Sequence, residues 1–107
     1  MNCCHISEKL FARLLKDDLY FVLGKWDYFK LVEDDHEQAA VFFSEEAYYD
    51  YVNYCYAISE RLNEMRLSKF GPSYKDSLYR YFIHKGWKWK TEDETVIDWL
   101  KSKGYTL

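Results

Sequence analysis

The residues best able to bind a metal or act as nucleophiles open the chain: Cys3, Cys4 and His5 are consecutive. Adjacent ligands do not have the Cys-x2-Cys spacing that closes a tetrahedral site, so they predict no metal centre. With Cys55 they make three cysteines. That number is odd and too small for a disulfide framework, and it predicts free thiols in a reducing compartment. His36 lies in "EDDHEQ", which lacks the glycine and the acidic spacing of a calcium-binding loop, and it reads as solvated. His84 ends a helical pattern, where the helix C-terminus favours its cation. A general base also needs a nucleophile or carboxylate in reach, and the spacing supplies none. The pairs Asp17-Asp18 and Asp34-Asp35 read as solvated charges. No phosphate loop, dinucleotide fingerprint, HExxH or GxSxG is found. The expectation is a protein that is not an enzyme and has no metal and no cofactor.

Aromatic content is the anomaly. Phe, Trp and Tyr make up 21% of the 107 residues, with eleven tyrosines and four tryptophans. Five of the tyrosines, Tyr48, Tyr49, Tyr51, Tyr54 and Tyr56, fall in the stretch "AYYDYVNYCYAI". No one face of a helix can hold them all. On a helical wheel, Ala47, Tyr51, Tyr54, Ile58, Leu62 and Met65 form an apolar stripe with Tyr48 and Cys55 at its edge. Tyr49 and Tyr56 lie well off it, on one line with Asn53 and Glu60. Tyrosine gives large contact area at small entropic cost, so Tyr49, Tyr56, Asn53, Glu60 and Asp50 are the candidate protein-binding residues. The competing expectation is that a later helix covers Tyr49 and Tyr56 as a second core layer.

Charge is unevenly distributed. Residues 1–64 hold six basic and thirteen acidic residues, a net of −7; residues 65–107 hold nine and five, a net of +4. Such asymmetry suggests an acidic face for a basic partner, or two opposed patches. The segment 66–90 has seven basic residues and one acidic one, interleaved with aromatics. Basic charge with stacking rings is the composition of single-strand nucleic-acid binding, so Arg80, Lys85, Trp87, Lys88 and Lys90 form an alternative site. No nucleic-acid motif accompanies them.

The elements that must position these residues follow from periodicity. Ser7 caps a helix over about 7–18, with Leu10, Phe11, Leu14 and Leu15 at helical spacing. Strands are expected at about 19–23, 26–32 and 39–43, with Gly24-Lys25 as a turn and 33–38 as a polar loop. Ser44 caps a long helix over about 45–67. Pro72 breaks the chain, Ser73 caps a third helix ending at Gly86, and "WKWK" is extended. Thr91 and Glu94 match a capping box for a fourth helix ending at Gly104.

The fold expected is α+β, a two- or three-stranded antiparallel sheet against about four helices, in the order α-β-β-β-α-α-α and in a single domain spanning 1–107. No apolar run is long enough to span a bilayer and the start lacks a secretory pattern, which predicts a cytoplasmic protein. Small, acidic, tyrosine-rich domains of this character suit inhibitors that occlude nucleases or other nucleic-acid-handling proteins, in the manner of immunity proteins, antitoxins or phage anti-defence proteins. The partner expected is therefore another protein with a basic surface. The alternative is a nucleic-acid-binding module built on 66–90.

Overall fold

The computed structural model describes residues 2–34, 37–59, 66–68, 70–73 and 76–106. The order is β1 (Cys3–Ile6), α1 (Glu8–Lys16), β2 (Phe21–Leu23), β3 (Tyr28–Glu33), β4 (Ala39–Phe42), α2 (Glu45–Ile58), β5 (Arg66–Ser68), β6 (Gly71–Ser73), α3 (Ser77–His84) and α4 (Asp93–Ser102). The fold is α+β: four helices among the described residues, with an antiparallel sheet in the order β1-β4-β3-β2 and a separate β5-β6 hairpin.

The sheet is buried on both faces. Cys4, Ile6, Phe29, Leu31, Ala39 and Val41 face one core with Leu10, Phe11 and Leu14 of α1 and Val96 and Leu100 of α4. Their sequence neighbours Cys3, Val32, Ala40 and Phe42 face the other core with Tyr51 and Cys55 of α2 and Leu78, Tyr81 and Phe82 of α3. Strand side chains alternate between faces. A strand covered on both sides therefore reads as an unbroken apolar run, and "AAVFF" is such a run.

The structure extends the expected sheet to four strands. "CCHI" pairs with β4 from Cys3↔Phe42 to Ile6↔Ala39. The N-terminal segment is thus a strand, not a frayed end. Other boundaries also move. Helix α2 ends at Ile58, with Ser59 extended, and Arg66–Ser68 is strand, so the long helix does not reach 67. Leu62 and Met65 lie outside the described residues, as do Tyr74 and His36. Ser73 belongs to β6. Helix α3 begins after Asp76, whose φ of 52° is left-handed and whose side chain makes no cap bond. The Thr91–Glu94 box does not form. Helix α4 starts after Glu92, and Asp93 instead accepts from the Ser7 main-chain N–H (2.8 Å) and hydroxyl. Ser7 Oγ in turn accepts from Leu10 N–H at 3.2 Å, so the α1 cap and the α4 start are clasped together.

All three thiols are free and buried. Burial raises their pKa, Cys4 to about 12 and Cys55 to about 11. The thiolate is the reactive form. A shift from 9.0 to about 12 lowers its population by roughly a thousandfold below that pH. Alkylation followed by mass spectrometry should find no thiol labelled in native protein at pH 8 and all three labelled in denaturant. Rapid labelling of the native protein at pH 8 would contradict this burial.

Candidate functional site

Helix α2 is anchored at its start by Ser44, whose hydroxyl accepts from Ala47 N–H at 3.4 Å. Glu45 and Glu46 sit in its first turn, where the helix dipole favours them. Its inner side is centred on Tyr51 and Cys55, both fully buried. Ala47, Tyr48, Val52 and Tyr54 pack partly against that core. The stripe is thus turned toward Cys55 from the expected one, and Ile58 is only half-buried at the helix end. Tyr49 and Tyr56 lie on the far side, 54% and 45% exposed, with Asn53 also exposed. Neither α3 nor α4 covers them. Glu60 lies outside the described residues.

Asp50 leaves this outer side at its flank. Its carboxylate accepts from the Tyr81 hydroxyl at 2.7 Å and pairs with Lys85 Nζ at 2.9 Å. Those two bonds hold its carboxyl below the usual carboxylate range. Asp50 and Lys85, assigned by sequence to two rival sites, neutralise each other. The pair is largely exposed, so its contribution to stability is small, at most about 1 kcal/mol.

An aromatic run continues from α2 across to β2. The Tyr48 ring meets Tyr49 at 5.5 Å. The Lys30 ammonium sits between the rings of Tyr48 (5.0 Å) and Phe21 (5.3 Å). Phe21 meets Tyr28 edge-on at 5.8 Å. Burial lowers the Lys30 pKa and raises that of Tyr28 to about 12. Beyond lie Leu23, 66% exposed, and Trp26, 87% exposed at the tip of the β2–β3 turn. Sequence reading did not single out Phe21, Leu23 or Trp26. The available signal was "FVL", where period two places Phe21 and Leu23 on one side with no charge between them.

The basic segment is organised differently from a stacking platform. Trp87 and Trp89 are partly buried and both pack on the core, so Trp87 is not a free stacking surface. Trp89 stacks on His5 at 3.7 Å and meets Phe82 at 5.0 Å. Lys88 and Lys90 project from the other face and are exposed, as is Arg80 on α3. His84 stacks on Tyr54 at 4.7 Å.

Comparison of the chain with protein-family models, with curated proteins and with solved structures returns no match. The site therefore has to be read from its own chemistry.

Among the described residues, charges from the two halves of the sequence meet in several places. Lys9, Arg13 and Lys16 of the acidic half line a groove with Lys101 over Leu10 and Ile97. Lys103 pairs with Asp27 at 2.7 Å, and Lys85 with Asp50. Among the described residues no three His, Cys, Asp or Glu side chains are placed to hold a metal ion, and no helix is long and apolar enough to cross a membrane.

Proposed function

We propose that the chain is a protein-binding module without catalytic activity, which inhibits a nuclease or another nucleic-acid-handling protein by occlusion. The observation that carries this reading is the outer side of α2. Tyr49 and Tyr56 are about half exposed on one line of a helix whose opposite side is core, beside Asn53 and the first-turn carboxylates of Glu45 and Glu46. Exposed rings on a rigid helix anchor well because little side-chain entropy is lost on binding. Carboxylates beside them complement a basic groove and speed association. The core packing of Trp87 and Trp89 and the pairing of Lys85 with Asp50 favour this reading over nucleic-acid binding through Arg80, Lys85, Trp87, Lys88 and Lys90.

The test pairs a melt with an affinity on one sample. Protein captured from the native host is identified by mass spectrometry, and its nuclease activity and affinity are measured with and without the chain. Tyr49→Ala with Tyr56→Ala should leave the melting midpoint nearly unchanged. It should weaken binding by at least about 2 kcal/mol, roughly thirtyfold in Kd. Full affinity in the double variant would remove α2 from the interface. Binding to oligonucleotides that falls steeply with salt and is abolished by Lys88→Gln with Lys90→Gln would favour the nucleic-acid reading.

A further inference from the structure

The two edges of the main sheet are treated differently. In antiparallel pairing, alternate residues turn their main-chain groups toward the neighbouring strand and the others turn outward. Phe43 N–H donates to Asn2 carbonyl, which sets Asn2, Cys4 and Ile6 inward and Cys3, His5 and Ser7 outward. That outer edge of β1 is engaged at His5 and Ser7: His5 carbonyl accepts from Glu92 N–H at 2.7 Å, and Ser7 N–H donates to Asp93.

On β2 the same reasoning gives the opposite result. Leu31 N–H donates to Tyr20 carbonyl and Gly24 N–H to Asp27 carbonyl. With Phe21↔Lys30 and Leu23↔Tyr28 in register, Tyr20, Val22 and Gly24 point inward, and Phe21 and Leu23 point outward. Among the described residues no main-chain or side-chain group bonds to that edge. The side chains of the same two residues are 44% and 66% exposed. Edge strands are ordinarily protected by being short, as β2 is with three residues, and further by a charge, a proline or a bulge within them. Of that second group the stretch Phe21, Val22, Leu23 has nothing.

We propose that β2 pairs with β2 of a second copy of this chain, antiparallel about a two-fold axis at Val22, joining two four-stranded sheets into one. The register follows from the outward groups. With Val22 opposite Val22, Phe21 of each copy faces Leu23 of the other, and that pair exchanges both main-chain hydrogen bonds. A two-fold interface must be self-complementary, and this one is: each exposed ring meets an exposed aliphatic chain. Extending the register carries Lys25 and Trp26 of one turn toward residues 18–19 of the other copy. Lys25 of the turn then stands opposite Leu19 of the other copy, and Trp26, whose ring is 87% exposed, opposite Asp18. The outer side of α2, with Tyr49 and Tyr56, is a separate surface that each copy retains.

Sedimentation equilibrium of the full chain should give twice 13.1 kDa. A monomer mass at all concentrations up to the millimolar range would overturn the proposal. Phe21→Lys with Leu23→Lys places like charges opposite each other and should give a folded monomer. Mixing it with Phe21→Glu, Leu23→Glu should restore a mixed dimer. A dimer that survives the lysine changes would show that a different surface is used. The register has its own readout, because the native thiols are buried. Val22→Cys, on the axis, should cross-link to a dimer under mild oxidant, and Leu23→Cys should not. The reverse pattern, or no cross-link at Val22, would overturn the two-fold at that residue.

Discussion

Asp34→Ala is expected to lower stability by about 2–4 kcal/mol, more than any other single acidic residue of the chain. The carboxylate is 4% exposed. Its Oδ1 accepts from Gln38 N–H at 3.2 Å, closing the β3–β4 turn together with the Asp34 N–H to Gln38 carbonyl bond. Its Oδ2 accepts from Leu78 N–H at 3.3 Å, in the first turn of α3. That second bond matters because α3 has no cap of its own: Asp76, which precedes it, makes no side-chain cap bond. A residue distant in sequence thus does what Ser44 does locally for α2. It satisfies one of the orphan N–H groups and places a negative charge at the positive end of the helix dipole. Removing it leaves buried donors unpaired, which costs more than a bond is worth. Asp34→Asn keeps an acceptor and should lose about half as much. Asp98→Ala, at an exposed position of α4, should stay within about 0.5 kcal/mol. Denaturant melts compare them. Equal losses for Asp34→Ala and Asp98→Ala would mean that another group caps α3.

The reading of Asp34 as a solvated charge shows where sequence reasoning stopped. A carboxylate followed by another carboxylate in a polar run carries no local mark of burial. What buries it is α3, which arrives more than forty residues later. The same limit applies to β1 and to the Thr91–Glu94 box. "CCHI" is a strand because β4 offers it a partner, and Asp93 is drawn away to Ser7 by the packing of α4 beside β1. Short edge strands and caps made between elements depend on tertiary partners and have no period to read.

What was legible was local. Ser7 and Ser44 are caps because small hydroxyl residues precede apolar helical patterns. Gly86 and Gly104 end helices with φ of 77° and 93°, the left-handed conformation that glycine adopts most readily. The outward placement of Tyr49, Asn53 and Tyr56 was likewise available from the wheel. How the charges mix in space was not legible, for the opposite reason. Net charge per half is a property of the chain order, whereas the Lys85–Asp50 and Lys103–Asp27 pairs and the α1–α4 groove mix the halves in space.

Tyr51 and Tyr49 are two residues apart, yet their alanine variants should differ by several kcal/mol. Tyr51 has no exposed surface. Its ring packs at 5.3 Å from Phe42 of the sheet and 5.4 Å from Tyr81 of α3. Its hydroxyl lies 2.7 Å from Ser77 Oγ, where α3 begins. Tyr51→Ala removes a large side chain from between three elements and should cost about 3–5 kcal/mol through the cavity it leaves. Tyr51→Phe keeps the ring. It takes from the buried Ser77 hydroxyl its Tyr51 partner, and should cost about 1–2 kcal/mol. Adding Ser77→Ala should then recover part of that loss, because the stranded hydroxyl goes with it. Tyr49→Ala, more than half exposed, should stay within about 0.5 kcal/mol. A two-residue step on a helix is 200°, nearly a half-turn, which carries a tyrosine from core to solvent. The crowding of five tyrosines on one helix then has a physical resolution. Tyr51 is wholly in the core, Tyr48 and Tyr54 pack partly against it, and Tyr49 and Tyr56 stand about half exposed outside it. Equal losses for Tyr49→Ala and Tyr51→Ala in urea melts would reverse the orientation of α2 and remove the exposed surface on which the binding proposal stands.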